Sequence, residues 1–133
     1  MIGKAIVRAP ERVSLWRMVA SRAALDAIVW TDDAVVLRIA PDELLALAPN
    51  APDIPDDRHA IVRRDDGYAA IWLATAEAQE ILSSFCEWEL PTEMPAFVQG
   101  AVAGLPVKIW FEHDRVLMLV PAPYAAEFTE RLS

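Results

Sequence analysis

The sequence is short of the residues on which most catalytic chemistry draws. It has one cysteine, two histidines and four glycines in 133 residues. The single cysteine, Cys86, excludes an internal disulfide, so no covalent staple is expected. Four scattered glycines leave no glycine-rich cradle for a phosphate, and no G-x-S-x-G elbow occurs. No apolar run approaches the roughly 18 residues of a membrane span. The opening stretch MIGKAIVRAPERV lacks both the apolar core and the small-residue cleavage site of a secretory leader. The expectation is a soluble, cytoplasmic chain with no membrane partner.

Basic residues are scarce as well, and unevenly spread. Residues 65–107 contain none, yet carry Asp65, Asp66, Glu77, Glu80, Glu87, Glu89 and Glu93. Residues 1–22 show the reverse, with Lys4, Arg8, Arg12, Arg17 and Arg22 against Glu11 alone. The net charge of −8 speaks against a nucleic-acid partner, which requires clustered Lys and Arg. The opposed segments are expected to pair within the fold or to steer a partner subunit.

Apolar residues, in contrast, are plentiful. They make up 55% of the chain, with five tryptophans among them, and the mean hydropathy is +0.24. One domain spanning 1–133 is the default for this length. Such a composition implies either a very complete core or apolar surface meant for a partner.

The coarse element reading starts at HAIVRRDDGYAAIWL. Asp66-Gly67 can supply the positive φ angles of a tight turn, so strands are expected near 60–64 and 68–73 with Gly67 between them. TAEAQEILSSFC then predicts a helix with Thr75 as N-cap, Glu77 in its first turn and Ala78, Ile81, Leu82 and Phe85 on one face. Pro91 and Pro95 forbid its continuation. FVQGAVAG and LPVKIWF read as strands with Gly100 and Gly104 at bends or bulges, EHDR as a turn, and VLMLV as a buried strand. Pro123 suits the first position of a final helix. From residue 60 the predicted order is β-β-α-β-β-β-α, an α+β fold with an antiparallel sheet and helices packed on one face. Upstream, AVVLRI reads as a strand. APDELLALA is either a helix start at Pro41 or a turn into a return strand, and the proline-rich 49–58 segment is a loop.

Candidate chemistry is thin. Nucleophilic catalysis needs a nucleophile beside a base held by a third group, and Cys86, His59 and His113 meet only through the fold. Cys86 adjoins a core-facing stripe and reads as a packing residue; His113 sits in a turn. Asp53, Asp56, Asp57 and His59 cluster on the proline-rich loop without an Asp-x-Asp-x-Asp-Gly pattern, so a solvated loop is expected rather than a metal site. Catalytic, cofactor and metal residues are therefore assigned as none. Trp72, Trp88 and Trp110 carry large apolar area. Trp88 and Trp110, each beside a bend, are the candidate interface residues.

Several stretches together resemble a known family. They are RRDDGYAAIWL, AEAQEILSSFCEWELP, VQGAVAGLPVKIWF, EHDR and VLMLVPAPYAAEFTERL. Their order is similar to that of the gamma-subunit family of heterotetrameric sarcosine oxidase, a small relative of the aminomethyltransferase (T-protein) fold. LRIAPDELLAL resembles the family's stretch around a Pro-Asp-Glu, with Ala40 where Gly is usual and Leu44 where Trp is usual. The resemblance implies a strand after Pro41. It also implies a non-catalytic accessory or assembly subunit acting by protein association in one-carbon or amine-oxidation metabolism. Flavin and tetrahydrofolate would then sit on partner chains and not on this one. The partners would be other protein subunits or a second copy. The alternative expectation is a small-molecule binding module for a folate-like ligand. A groove lined by Trp110 and an acidic group would favour the ligand, and a flat apolar face would favour association.

Overall fold

The computed structural model describes residues 8–54 and 57–133. Among these the chain forms β1 (Glu11–Val19), α1 (Arg22–Asp26), β2 (Val35–Ala40), β3 (Glu43–Leu47), β4 (Ile61–Ala74) and α2 (Thr75–Phe85). It continues as β5 (Ala96–Val102), β6 (Leu105–Phe111), β7 (Arg115–Pro121), a 3-10 turn at Ala122–Tyr124 and α3 (Ala125–Leu132). The strands are hydrogen-bonded in the order β2-β3-β1-β4-β7-β6-β5. Pairings β1–β3, β2–β3, β4–β7, β5–β6 and β6–β7 are antiparallel, so the fold is mixed α and β with a mostly antiparallel sheet.

The predicted element order from residue 60 is not the one observed. Residues 61–74 are one strand, without a turn at Gly67, and the order is β-α-β-β-β-α. Two contacts replace the expected hairpin. Asp65 Oδ2 accepts from Arg17 Nε at 2.9 Å, and Tyr68–Ala74 pair residue by residue with Pro121–Arg115 of β7. Ladder pairing outweighs a two-residue turn preference. The tight turn lies instead at Ala103-Gly104, between paired Val102 and Leu105, with φ of 53° and 79°. Both angles are positive, as a two-residue hairpin of this twist requires.

Smaller corrections follow from local chemistry. Thr75 is the first residue of α2 and not its cap; Glu77 Oε1 accepts from the Ala74 N–H at 3.1 Å and closes that end. Gly100 lies inside β5 and makes no bend. A Cβ there would sit 2.7 Å from Trp88 Nε1, so glycine provides the room for the indole. Pro123 falls in the 3-10 turn that precedes α3. β1 and α1 were not foreseen. After Pro41 the chain is a strand, as the resemblance implies.

The chain divides into two compact units, Ser14–Asp66 and Met1–Val13 with Gly67–Ser133. In the first, α1 begins after Ser21, whose Oγ accepts from Ala24 N at 3.1 Å. Its Ala24 and Leu25 join Met18, Leu44 and Ala46 in an apolar cluster. In the second, alternation along the strands builds the core. Ile71, Leu73, Val107, Ile109, Phe111, Val116, Met118 and Val120 share one face with Ala78, Ile81 and Leu82 of α2 and Phe128 and Leu132 of α3.

Candidate functional site

The β4–β7–β6–β5 register also determines what lies on the other face, turned away from α2 and α3. Trp72 pairs with Leu117, Leu117 with Trp110, and Trp110 with Phe97. Side chains directly opposite in a ladder share a face, so these four form one row across four strands. The next row is Ala70, Leu119, Lys108 and Gln99. Leu117 and Leu119 are fully buried, whereas Trp72, Trp110, Phe97 and Lys108 are half-buried.

A polar latch holds the two indoles. The β6–β7 turn, EHDR, is closed by Glu112 N donating to Arg115 O at 2.9 Å. Glu112 then accepts from Trp110 Nε1 at 2.8 Å and from Arg115 Nε at 2.7 Å. The Arg115 guanidinium lies 3.8 Å from the centre of the Trp72 ring, a cation–π distance. Partial burial opposes ionisation of Glu112. The bonds from Arg115 and Trp110 and the Arg115 charge outweigh it, so its carboxyl is held below the usual glutamate range. Arg115 and Glu112 thus orient both tryptophans at little entropic freedom.

Beside the rows, Tyr68, Gln99, Pro106, Lys108, Leu119 and Pro121 line an open cleft of about 370 Å³. Lys108 Nζ donates to Gln99 Oε1 at 3.0 Å and lies 5.6 Å from the Tyr68 ring centre. Neither Trp110 nor Glu112 lines this cleft. Chemically the face offers flat aromatic area, two cation–aromatic contacts and a few polar anchors.

The two interface candidates lie on opposite faces of this sheet, Trp110 within β6 and Trp88 in the α2–β5 connection. Trp110 lies in the aromatic row. Trp88 packs against the helix-side core, over Gly100, and its Nε1 donates to Ala101 O at 3.0 Å. That bond satisfies a carbonyl at the outer edge of β5, so Trp88 braces the fold. Trp72 and Phe97 belong to the row although sequence reading did not select them. The signal was available as alternation with Trp110 and Leu117, but only once strand partners are known.

Of the remaining candidates, Cys86 and Asp57 have structural partners. The Cys86 thiol donates to Trp88 O at 3.6 Å, and its burial raises its pKa. His113 is exposed in the β6–β7 turn. Asp57 accepts from Ser21 N at 2.7 Å and His59 N at 2.9 Å, bonds that lower its pKa. Asp56 lies outside the described residues. Among the described residues no group of three His, Cys, Asp or Glu is placed to hold a metal ion. Part of the charge opposition is answered internally. Arg17 bonds both Asp65 and Glu43, and Arg8 reaches Glu77 at 3.7 Å. No described helix is long and apolar enough to cross a membrane.

Comparison with models of known protein families gives no match, and comparison with curated proteins gives none either.

Proposed function

We propose that this chain is a non-catalytic accessory or assembly subunit, similar to the gamma subunit of sarcosine oxidase, that acts by association with other protein chains in the cytoplasm. In this reading the flavin and tetrahydrofolate chemistry of amine oxidation belongs to partner chains. The observation that carries it is the row Trp72–Leu117–Trp110–Phe97, with its indoles fixed by Glu112 and Arg115. Pre-ordered tryptophan and arginine side chains are the commonest anchors of protein interfaces, because little rotamer freedom remains to be lost on binding.

The test is native purification of the tagged chain followed by identification of stoichiometric partners, in parallel with Trp110→Ser. The expected result is a defined partner retained by the wild type and lost from the variant. A wild type that emerges alone and monomeric over a concentration series would count against association. The second reading is a small folate-like ligand in the cleft beside Lys108 and Tyr68, although that cleft is lined by neither Trp110 nor an acidic group. Saturable tetrahydrofolate binding by calorimetry, weakened in Lys108→Gln, would move that reading to first place.

A further inference from the structure

We infer that the groove between α2 and the α2–β5 connection is a docking site for a basic segment of the partner chain that presents one aliphatic side chain. The inference rests on the association reading and states the chemistry of the partner. Ala78 and Leu82 of α2, Leu90 and Met94 of the connection, and Phe111 and Val116 of the sheet line a narrow groove of about 50 Å³. An apolar cavity of about 150 Å³ holds benzene, so this one has room for the end of one aliphatic side chain. Leu90 and Met94 are half-buried against the helix-side core. Pro91 and Pro95 restrict the backbone of the connection. That wall is therefore formed before anything binds, and little freedom is lost on docking.

Charge decides the occupant. Acidic residues stand beside the lining in sequence: Glu80 follows Gln79, Glu89 precedes Leu90 and Glu93 precedes Met94. All three are exposed, and among the described residues none of them forms an ion pair. No basic residue occurs in 65–107, the span that holds α2 and the connection. The one carboxylate in the lining itself, Glu112, is already held by Arg115 and Trp110. An apolar seat rimmed by unanswered negative charge attracts a segment whose Lys or Arg side chains flank an apolar residue. The same charge repels an acidic segment. A symmetric contact between two such grooves is disfavoured as well, since each brings its glutamates to the other.

The experiment is titration of the isotope-labelled full chain with the peptide Lys-Lys-Leu-Lys-Lys, capped at both ends, followed by amide chemical shifts. Lys-Lys-Ala-Lys-Lys and Glu-Glu-Leu-Glu-Glu serve as comparison peptides. The expected result is saturable binding of the leucine-centred lysine peptide, with shifts centred on Ala78, Leu82, Leu90 and Met94. The alanine peptide should bind about tenfold more weakly, for want of methylene groups in the groove, and the glutamate peptide should not bind. Added salt should weaken binding. Glu89→Lys and Glu93→Lys should each weaken it about fivefold. Glu130→Lys on α3, an equal charge change, should leave it unchanged, and thermal melts of all these chains should coincide. Equal binding of the two lysine peptides, or equal effects of the three variants, would overturn the groove, because net charge alone would then be read. Shifts at the same residues on raising protein concentration without peptide would also overturn it, with a second copy as the occupant. Absence of saturable binding by wild type overturns the groove alone; the association reading is decided separately, by the partner purification with Trp110→Ser.

Discussion

The two faces of the β4–β7–β6–β5 sheet are built from the same strands yet solve different problems. On the helix side, Ile109, Met118, Val120 and Phe128 are fully buried, and contact area alone holds them. On the far side the leucines are buried too, but the tryptophans beside them are half-buried and tied down by a carboxylate and a guanidinium. An apolar side chain buried on all sides needs no polar tether. One left half in water does, or it samples other rotamers. The difference separates residues that make the fold from residues that present a surface.

The sharpest way to break that contrast is to attack both sides and compare costs. Phe128 has no exposure and anchors α3 against the core. Phe128→Ala should cost about 3–5 kcal/mol in urea unfolding, from lost transfer energy plus a cavity. A cost under about 1 kcal/mol would mean that α3 is not part of the core. Gly100→Val comes next. Its new side chain meets the Trp88 indole at under 3 Å, and overpacking of this kind should cost roughly 1–3 kcal/mol. In a Trp88→Leu background the valine should cost clearly less, because the clash is gone. Full additivity in that double-mutant cycle would place Trp88 elsewhere.

Trp110→Ser probes the far face. The indole is half-buried, so the transfer loss is a fraction of that for a core aromatic, about 1 kcal/mol. Chemical denaturation should register this small loss while partner retention disappears. The opposite outcome, a loss of several kcal/mol with partner retention intact, would make Trp110 a core residue like Phe128 and erase the distinction between the faces.

Much of this was legible in the sequence, and the failures have physical causes. The alternation of LPVKIWF and the helical stripe of AEAQEILSSF report burial directly, because each is a local period. Gly67 misled because a turn preference is local, whereas the pairing of Tyr68–Ala74 with β7 joins residues 41 to 53 apart. β1, ERVSLWRMV, was missed because Arg12 and Arg17 interrupt its apolar pattern; Arg17 is tolerated there through Glu43 and Asp65. Trp88 and Trp110 looked alike, since each stands beside a bend. The β5–β6 register places Trp110 on the far face, whereas Trp88, in the α2–β5 connection, is placed by its seat over Gly100. The latch was within reach, because Glu112 and Arg115 are three residues apart across a turn.

The smallest expected effect lies in that latch, and pH isolates it. Partial burial works against ionised Glu112, but the bonds from Arg115 and Trp110 and the Arg115 charge outweigh it, so the folded-state pKa lies below the unfolded one. A carboxylate with a depressed pKa contributes stability that is fully present above its unfolded pKa and lost as pH falls through the folded one. The unfolded value for glutamate is about 4.3. Wild type should therefore exceed Glu112→Gln in stability by a constant margin between about pH 6 and 8. That margin should shrink below about pH 4.3 as Glu112 takes up a proton. Because the pair is partly exposed, salt should reduce the margin. The indole N–H resonance of Trp110 should move over the same pH range, since its acceptor changes charge, while that of Trp88, bonded to the Ala101 carbonyl, should stay fixed. A margin that persists undiminished at low pH would mean that the glutamine substitution acts through packing. A Trp110 resonance insensitive to pH would mean that Glu112 does not hold the indole, and the half-buried row would lose the tether that distinguishes it from the core.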